Sequence, residues 1–192
     1  MESSKNNIQG MPSLIEIMDE LKKTINKISV SEMLDVADAL NGAKRIFIAG
    51  IGRSGLIGKT FAMRLVHMGF LVYIVGDATT PAIQENDLLV IVTGSGTTKT
   101  LQLYAEEAIS FRAELIVITA SADSPIGDLA QKRLIIPAEM NYAGVAMSRT
   151  LQPEANVFEQ CLMITLDYLS MILMKIKALD SEKMFERHAN LQ

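Results

Sequence analysis

The sequence predicts an α/β fold built on a parallel sheet, and three observations lead there. Leu88-Leu89-Val90-Ile91-Val92 is a continuous apolar run with three β-branched residues, which reads as a strand buried on both faces. Two glycine-rich turns, Gly50-Ile51-Gly52-Arg53-Ser54-Gly55 and Gly94-Ser95-Gly96-Thr97-Thr98, each leave an apolar strand and enter a helical pattern. Further short apolar runs alternate with helical stretches, the rhythm of a parallel wound sheet.

Taken in order, residues 1–12 read as a loose polar arm. Ser13 then caps a helix whose apolar residues Leu14, Met18, Leu21, Ile25 and Ile28 recur at spacings of four and three, a stripe that calls for a partner helix. Ser31 is expected to cap a second helix to about Leu40, with Asn41-Gly42 as its stop. Strands are expected at residues 45–49, 70–75, 88–92, 114–119 and 133–136. Helices follow the two glycine turns, one running to His67 or Met68 and closed by Gly69, the other over residues 99–111. Ser124-Pro125 opens a brief helix to Ala130, and residues 137–153 show no period. Asn156 is the expected cap of a helix over residues 157–177, and Ser181 of a short terminal one. With no repeat, linker or low-complexity tract, a single domain over residues 1–192 is the simplest organisation. Its N-terminal helices occupy residues 1–40, the sheet core 44–136 and the C-terminal helices 156–192.

Composition narrows the partners. The 192 residues are 49% hydrophobic, carry a net charge of -4 and contain no Trp, so nothing offers a basic, aromatic face to nucleic acid. The single cysteine, Cys161, reads as a core filler, and a polar N-terminus without a signal-peptide core points to the cytoplasm. The apolar run over residues 161–176 is interrupted by Asp167 and Lys175 and falls short of the roughly 20 residues that cross a bilayer, so no membrane span is expected. The helix over residues 157–177 is nonetheless apolar on nearly every side, which predicts burial against other subunits.

The turn at residues 94–98 carries the chemistry. Amides at a helix start, its positive dipole end and the hydroxyls of Thr93, Ser95, Thr97, Thr98 and Thr100 together suit a phosphate. An ordinary helix cap needs one hydroxyl, not five. Gly50-x-Gly52-x-x-Gly55 with Asp77 after the next strand also fits a dinucleotide fingerprint. That fingerprint has no use for the second turn or for Arg53 and Ser54, and the chain leaves no length for a catalytic domain. The preferred reading therefore sets both turns around one crevice that holds a small phosphorylated molecule. The two histidines lie far apart and no metal-ligand spacing occurs. His67 near a helix end reads as a dipole-complementing residue. Glu159, in the first turn of the long helix, is either a half-buried general base or a favourable charge at a helix start.

Gly52-Arg53-Ser54-Gly55, Phe61-Ala62-Met63-Arg64-Leu65, His67-Met68-Gly69, Val75-Gly76, Thr80-Pro81, Gly94-Ser95-Gly96, Gln152-Pro153, Phe158-Glu159-Gln160 and Arg187-His188-Ala189-Asn190-Leu191 together resemble the 6-phospho-3-hexuloisomerases of the sugar isomerase (SIS) domain group. The resemblance implies a three-layer α-β-α sandwich around a five-stranded parallel sheet, of flavodoxin or Rossmann-like type. It implies interconversion of 3-hexulose 6-phosphate and fructose 6-phosphate in the ribulose monophosphate route of formaldehyde fixation, without metal or organic cofactor, in a homotetramer. By the same resemblance Glu159 is the base and His188 assists ring opening or proton traffic. Gly52, Arg53, Ser54, Thr93, Gly94, Ser95, Gly96, Thr97 and Thr98 hold the sugar phosphate. Another SIS-fold isomerase, such as one for pentose phosphates, and a non-catalytic sugar-phosphate sensor are the alternatives. Two departures stand out. Thr93 and Thr97 replace the family's Ser and Glu, and Glu154-Ala155-Asn156 follows Pro153 where the family has Met-Gly-Ser; the change at Thr97 removes a carboxylate that could position sugar hydroxyls.

A helix of about 21 residues is roughly 30 Å long, and a terminal helix of about ten recovers roughly 15 Å of that even when it doubles straight back. His188 is therefore expected to miss the Glu159 of its own chain and to serve a neighbour's.

Overall fold

In a computed structural model, which describes residues 10–141, 150–188 and 190, five strands form one all-parallel sheet: β1 (Ile46–Gly50), β2 (Val72–Ile74), β3 (Leu88–Thr93), β4 (Glu114–Thr119) and β5 (Lys132–Ile135). The helices are α1 (Leu14–Ile25), α2 (Val30–Gly42), α3 (Gly52–His67), α4 (Lys99–Ser110), α5 (Pro125–Leu129), α6 (Asn156–Ile176) and α7 (Ser181–Phe185). Strand order is β2-β1-β3-β4-β5, with Gly50 opposite Val92 at the β1/β3 pairing. The order reverses between β1 and β3, and in such sheets the crevice beyond the carboxyl ends at that point is where ligands bind. Both glycine-rich turns leave the sheet there.

Alternation along the strands sorts the core into two layers. Ile46, Ile48, Leu88, Val90, Val92, Ile116 and Ile118 face α2, α3 and α6, where Phe158, Cys161, Leu162, Leu166 and Leu169 are fully buried or nearly so. Phe47, Ala49, Leu89, Ile91, Leu115 and Val117 face α4 and α5 through Leu101, Ala105, Ala108 and Ile126. The expected three-layer sandwich is thus formed. At the amino edge of the sheet, buried Asp87 takes the guanidinium of Arg45 and the Gln84 amide, closing the entry to β1 and β3.

Several local expectations are corrected. The second helix is capped by Ser29, whose hydroxyl accepts from the Glu32 amide, and Ser31 instead bonds the Ser29 hydroxyl. Asp180, one residue ahead of Ser181, caps α7. β2 is only three residues long because it is a half-exposed edge strand paired to β1 alone. α6 starts a residue early, at Asn156 itself, whose side chain caps nothing. The helix has 21 residues, so by length and composition it is long enough to cross a bilayer, contrary to the shorter run read from sequence. It is instead packed against α1, α2 and α3. Burial pushes the Cys161 thiol on this helix up to about 11, with Glu20 adding to the shift, in keeping with a core filler. The α1 stripe is covered only at its end: Leu21 and Ile25 pack on the core, whereas Leu14 and Met18 stay 78% and 63% exposed.

Candidate active site

The site begins with how two strands end. A Cβ on Gly55 would lie 2.4 Å from the Gly50 carbonyl oxygen, so backbone meets backbone there and α3 starts directly against the end of β1. Gly96 adopts φ +66°, and a Cβ on it would strike the Ser124 hydroxyl at 2.2 Å; its amide donates to the Thr93 hydroxyl at 3.2 Å, which folds the turn back on its own strand. The Thr119 hydroxyl donates to the Gly94 carbonyl at 3.0 Å and ties the turn to β4. Packing, rather than side-chain caps, therefore fixes both turns.

Three helix starts meet at this edge: α3 after Ile51, α4 after Thr98 and α6 after Ala155. None of these residues gives a side-chain hydrogen bond to the first turn. Unblocked first-turn amides at the positive end of a helix dipole favour an anion. Between them lies a cavity of about 270 Å³ lined by Gly52, Arg53, Ser54, Thr93, Gly94, Ser95, Thr98 and Glu159, all anticipated from sequence. The volume lies just under the range of about 300–1,000 Å³ usual for small-molecule sites.

Arg53 crosses from α3 to α6. Its Nη1 donates to Asn156 Oδ1 at 2.8 Å, and its Nε lies 3.0 Å from Glu159 Oε2. Asn156, expected as a cap, is thus a strap for Arg53. Glu159 is 8% exposed, and its burial is tolerable because the guanidinium meets its charge. The carboxylate is fixed, faces the cavity and can accept a proton.

Not every expected residue arrives. Gly96 and Thr97 continue the turn but do not line the cavity; the Thr97 amide and hydroxyl both donate to Ser95 Oγ, at 3.3 and 2.9 Å. Asp77, the acid of the rival fingerprint, pairs at the surface with Lys59 at 3.5 Å. His188 stacks on His67 with ring centroids 5.2 Å apart, in a separate cleft of about 350 Å³ shared with Arg64, Asp167 and Ser170. His67 lies fourteen positions along α3 from Arg53, about 21 Å at 1.5 Å per residue, so the two clefts open at opposite ends of that helix. Glu154 and Ala155 also line the cavity. Sequence reading saw them only as departures from a pattern; the signal for their location was their position just ahead of Glu159.

A sheet that reverses at a crevice of open helix starts is an arrangement suited to a small anionic ligand on an α/β scaffold. The SIS domain model matches residues 39–164, and the chain belongs to that family. It is 41% identical over 177 residues to the 3-hexulose-6-phosphate isomerase of Bacillus subtilis, covering 92% of this chain and 96% of that one. The Mycobacterium gastri 3-hexulose-6-phosphate isomerase is 37% identical, over 92% of this chain and 88% of its own. A Methanococcus jannaschii crystal structure, from which a function of 3-hexulose-6-phosphate isomerase was inferred, superposes with a TM-score of 0.80 at 32% identity, covering 93% and 98% of the two chains.

Proposed function

We propose that this chain interconverts 3-hexulose 6-phosphate and fructose 6-phosphate, a step of formaldehyde fixation by the ribulose monophosphate route, as a cytoplasmic homotetramer. The observation that carries the reading is a buried carboxylate, Glu159, locked by Arg53 against a cavity into which three uncapped helices point. The phosphate sits in the turn formed by Ser95 and Thr98 with Ser54 across from it, and the carbon chain extends toward α6. Glu159 takes the proton from C2 of the 3-hexulose, and the electron pair moves onto O3 as a 2,3-enediolate. The O2 proton passes to the O3 side as the C2 carbonyl forms, and C3 receives a proton back. Arg53, fixed beside Glu159, is the cation that faces the oxyanion forming at O3, where it lowers the barrier.

Oligomerisation belongs to this proposal for two reasons. Met163, Ile164, Tyr168 and Met171 of α6 are between 38% and 61% exposed, an apolar face of the kind that subunits cover. His188 lies too far from the Glu159 of its own chain, so the imidazole that serves each cavity comes from a neighbour.

Incubating the protein with fructose 6-phosphate in deuterated water tests the chemistry. Deuterium at C3 marks the 2,3-enediolate, deuterium at C1 marks an aldose-ketose isomerase instead, and binding without exchange marks a sensor. Glu159→Gln is expected to lower C3 exchange by about 10²–10⁴. Mixed Glu159→Gln and His188→Ala chains should regain activity; proven subunit exchange without recovery would overturn the shared site.

A further inference from the structure

Glu154 occupies a backbone position that glycine fills more easily. Its φ is +50°, in the left-handed region, and yet the residue is a glutamate. The surrounding loop is braced on both sides. The Asn141 amide donates to the Glu154 carbonyl at 2.7 Å, and Asn141 Nδ2 donates to the Gln152 carbonyl at 2.8 Å. The Leu151 amide and the Gln152 side chain both donate to Glu20 of α1, at 2.9 and 3.2 Å. These bonds hold Glu154 on the α6 side of the cavity, exposed, with no hydrogen bond or ion pair to its carboxylate among the described residues.

Charge decides what such a carboxylate can do. Among the described residues the cavity holds two acids, Glu154 and Glu159, against Arg53, and the Arg53 Nε is already committed to Glu159. Glu154 therefore repels a phosphate and cannot serve anion binding. A carboxylate is an acceptor-only group with two oxygens, and neighbouring hydroxyls are its natural donors. Thr97 is turned onto Ser95 outside the cavity and Glu159 is held by Arg53, so the carboxylate left to meet hydroxyls is Glu154.

We propose that Glu154 is a specificity-determining residue that accepts hydrogen bonds from the hydroxyls of the sugar chain while the phosphate lies across the cavity in the Ser95 to Thr98 turn. The assignment rests on the sugar-phosphate reading of the site and adds which residue selects the polyhydroxylated end.

Two probes separate that role from a structural one: a hexitol 6-phosphate, which carries a hydroxylated chain, and propyl phosphate, which carries none. Their dissociation constants are measured by calorimetry for the wild type, Glu154→Gly and Glu154→Gln. In Glu154→Gly the backbone strain is relieved and the melting temperature rises. The hexitol phosphate binds at least about tenfold more weakly, the scale of a lost charged hydrogen bond, while propyl phosphate binds a few-fold more tightly because a like charge is gone. Glu154→Gln shows the same opposed shifts at smaller size. Unchanged hexitol phosphate affinity, or movement of both probes in one direction, would overturn the assignment and leave the sugar-phosphate reading intact. A wild type that binds neither probe would overturn both.

Discussion

The described helices start in two different ways. α1, α2, α5 and α7 are closed by Ser13, Ser29, Ser124 and Asp180, each accepting a first-turn amide on its side chain. α3, α4 and α6 start after Ile51, Thr98 and Ala155 with no such bond, and all three line one cavity. A missing cap costs a helix about 1 kcal/mol. The fold accepts that loss at the three starts that line the cavity, where open amides suit an anion, and at α3 close packing of strand end on helix start keeps the turn in place. The composition of the turns does not reveal this difference. The segment around α4 is the richest in hydroxyls, yet its hydroxyls do not cap it.

The largest effect should follow from closing an open start. Thr98→Asp places a carboxylate at the head of α4, where the dipole favours it by about 0.3–1 kcal/mol, so the melting temperature should rise slightly. For a bound phosphate about 4 Å away at an effective dielectric of 20, the repulsion is about 4 kcal/mol, roughly a thousandfold in affinity. Calorimetric titration with fructose 6-phosphate reads this directly. Retained affinity would mean that α4 does not face the phosphate.

Next in size is the packing that stands in for the caps. Gly55→Ala forces a methyl onto the Gly50 carbonyl, and because neither backbone can swing aside the cost should reach about 3 kcal/mol in urea unfolding. Ser29→Ala removes a true cap and should cost about 1 kcal/mol with turnover unchanged. Thr98→Ala should do the reverse, leaving stability within about 0.5 kcal/mol while weakening phosphate binding about fivefold, the worth of one hydrogen bond. If the two alanine variants behaved alike, the distinction between closed and open starts would lose its meaning.

Much of this arrangement was legible in the residues. The apolar run at Leu88 to Val92 follows from burial, and Gly50 and Gly55 from a contact within one turn that a Cβ forbids, so both are local signals. Seven of the nine anticipated sugar-phosphate residues, all but Gly96 and Thr97, line the cavity, and the same crevice collects Glu159 from α6, about a hundred residues beyond Arg53. That meeting is tertiary. The fate of Asn156 was illegible for the same reason: it has the composition of a cap, but Arg53 from α3 reaches its amide oxygen first. Glu154 shows the opposite failure, since a positive φ leaves no mark on the sequence when the residue is not glycine or asparagine.

The smallest effect belongs to the far end of α3, where the same helix that opens at the cavity closes with Arg64 and His67 in its last turn. A helix C-terminus favours a cation, yet His67 is held below its usual 6.5, first by burial and then by the charges of His188 and Arg64. Its imidazole is therefore neutral in the fold at a pH where the unfolded chain already binds the proton. The stability that His67 contributes is complete above pH 6.5, and it is lost as the pH falls from there toward the depressed folded value, because the unfolded state takes up the proton first. Below that value both states are protonated and the slope from this residue vanishes. Urea midpoints measured at pH 7.5, 6.5 and 5.5 should fall less steeply for His67→Gln than for the wild type. Parallel curves would show that the fold does not disfavour the charged form of His67, against the burial and the neighbouring His188 and Arg64.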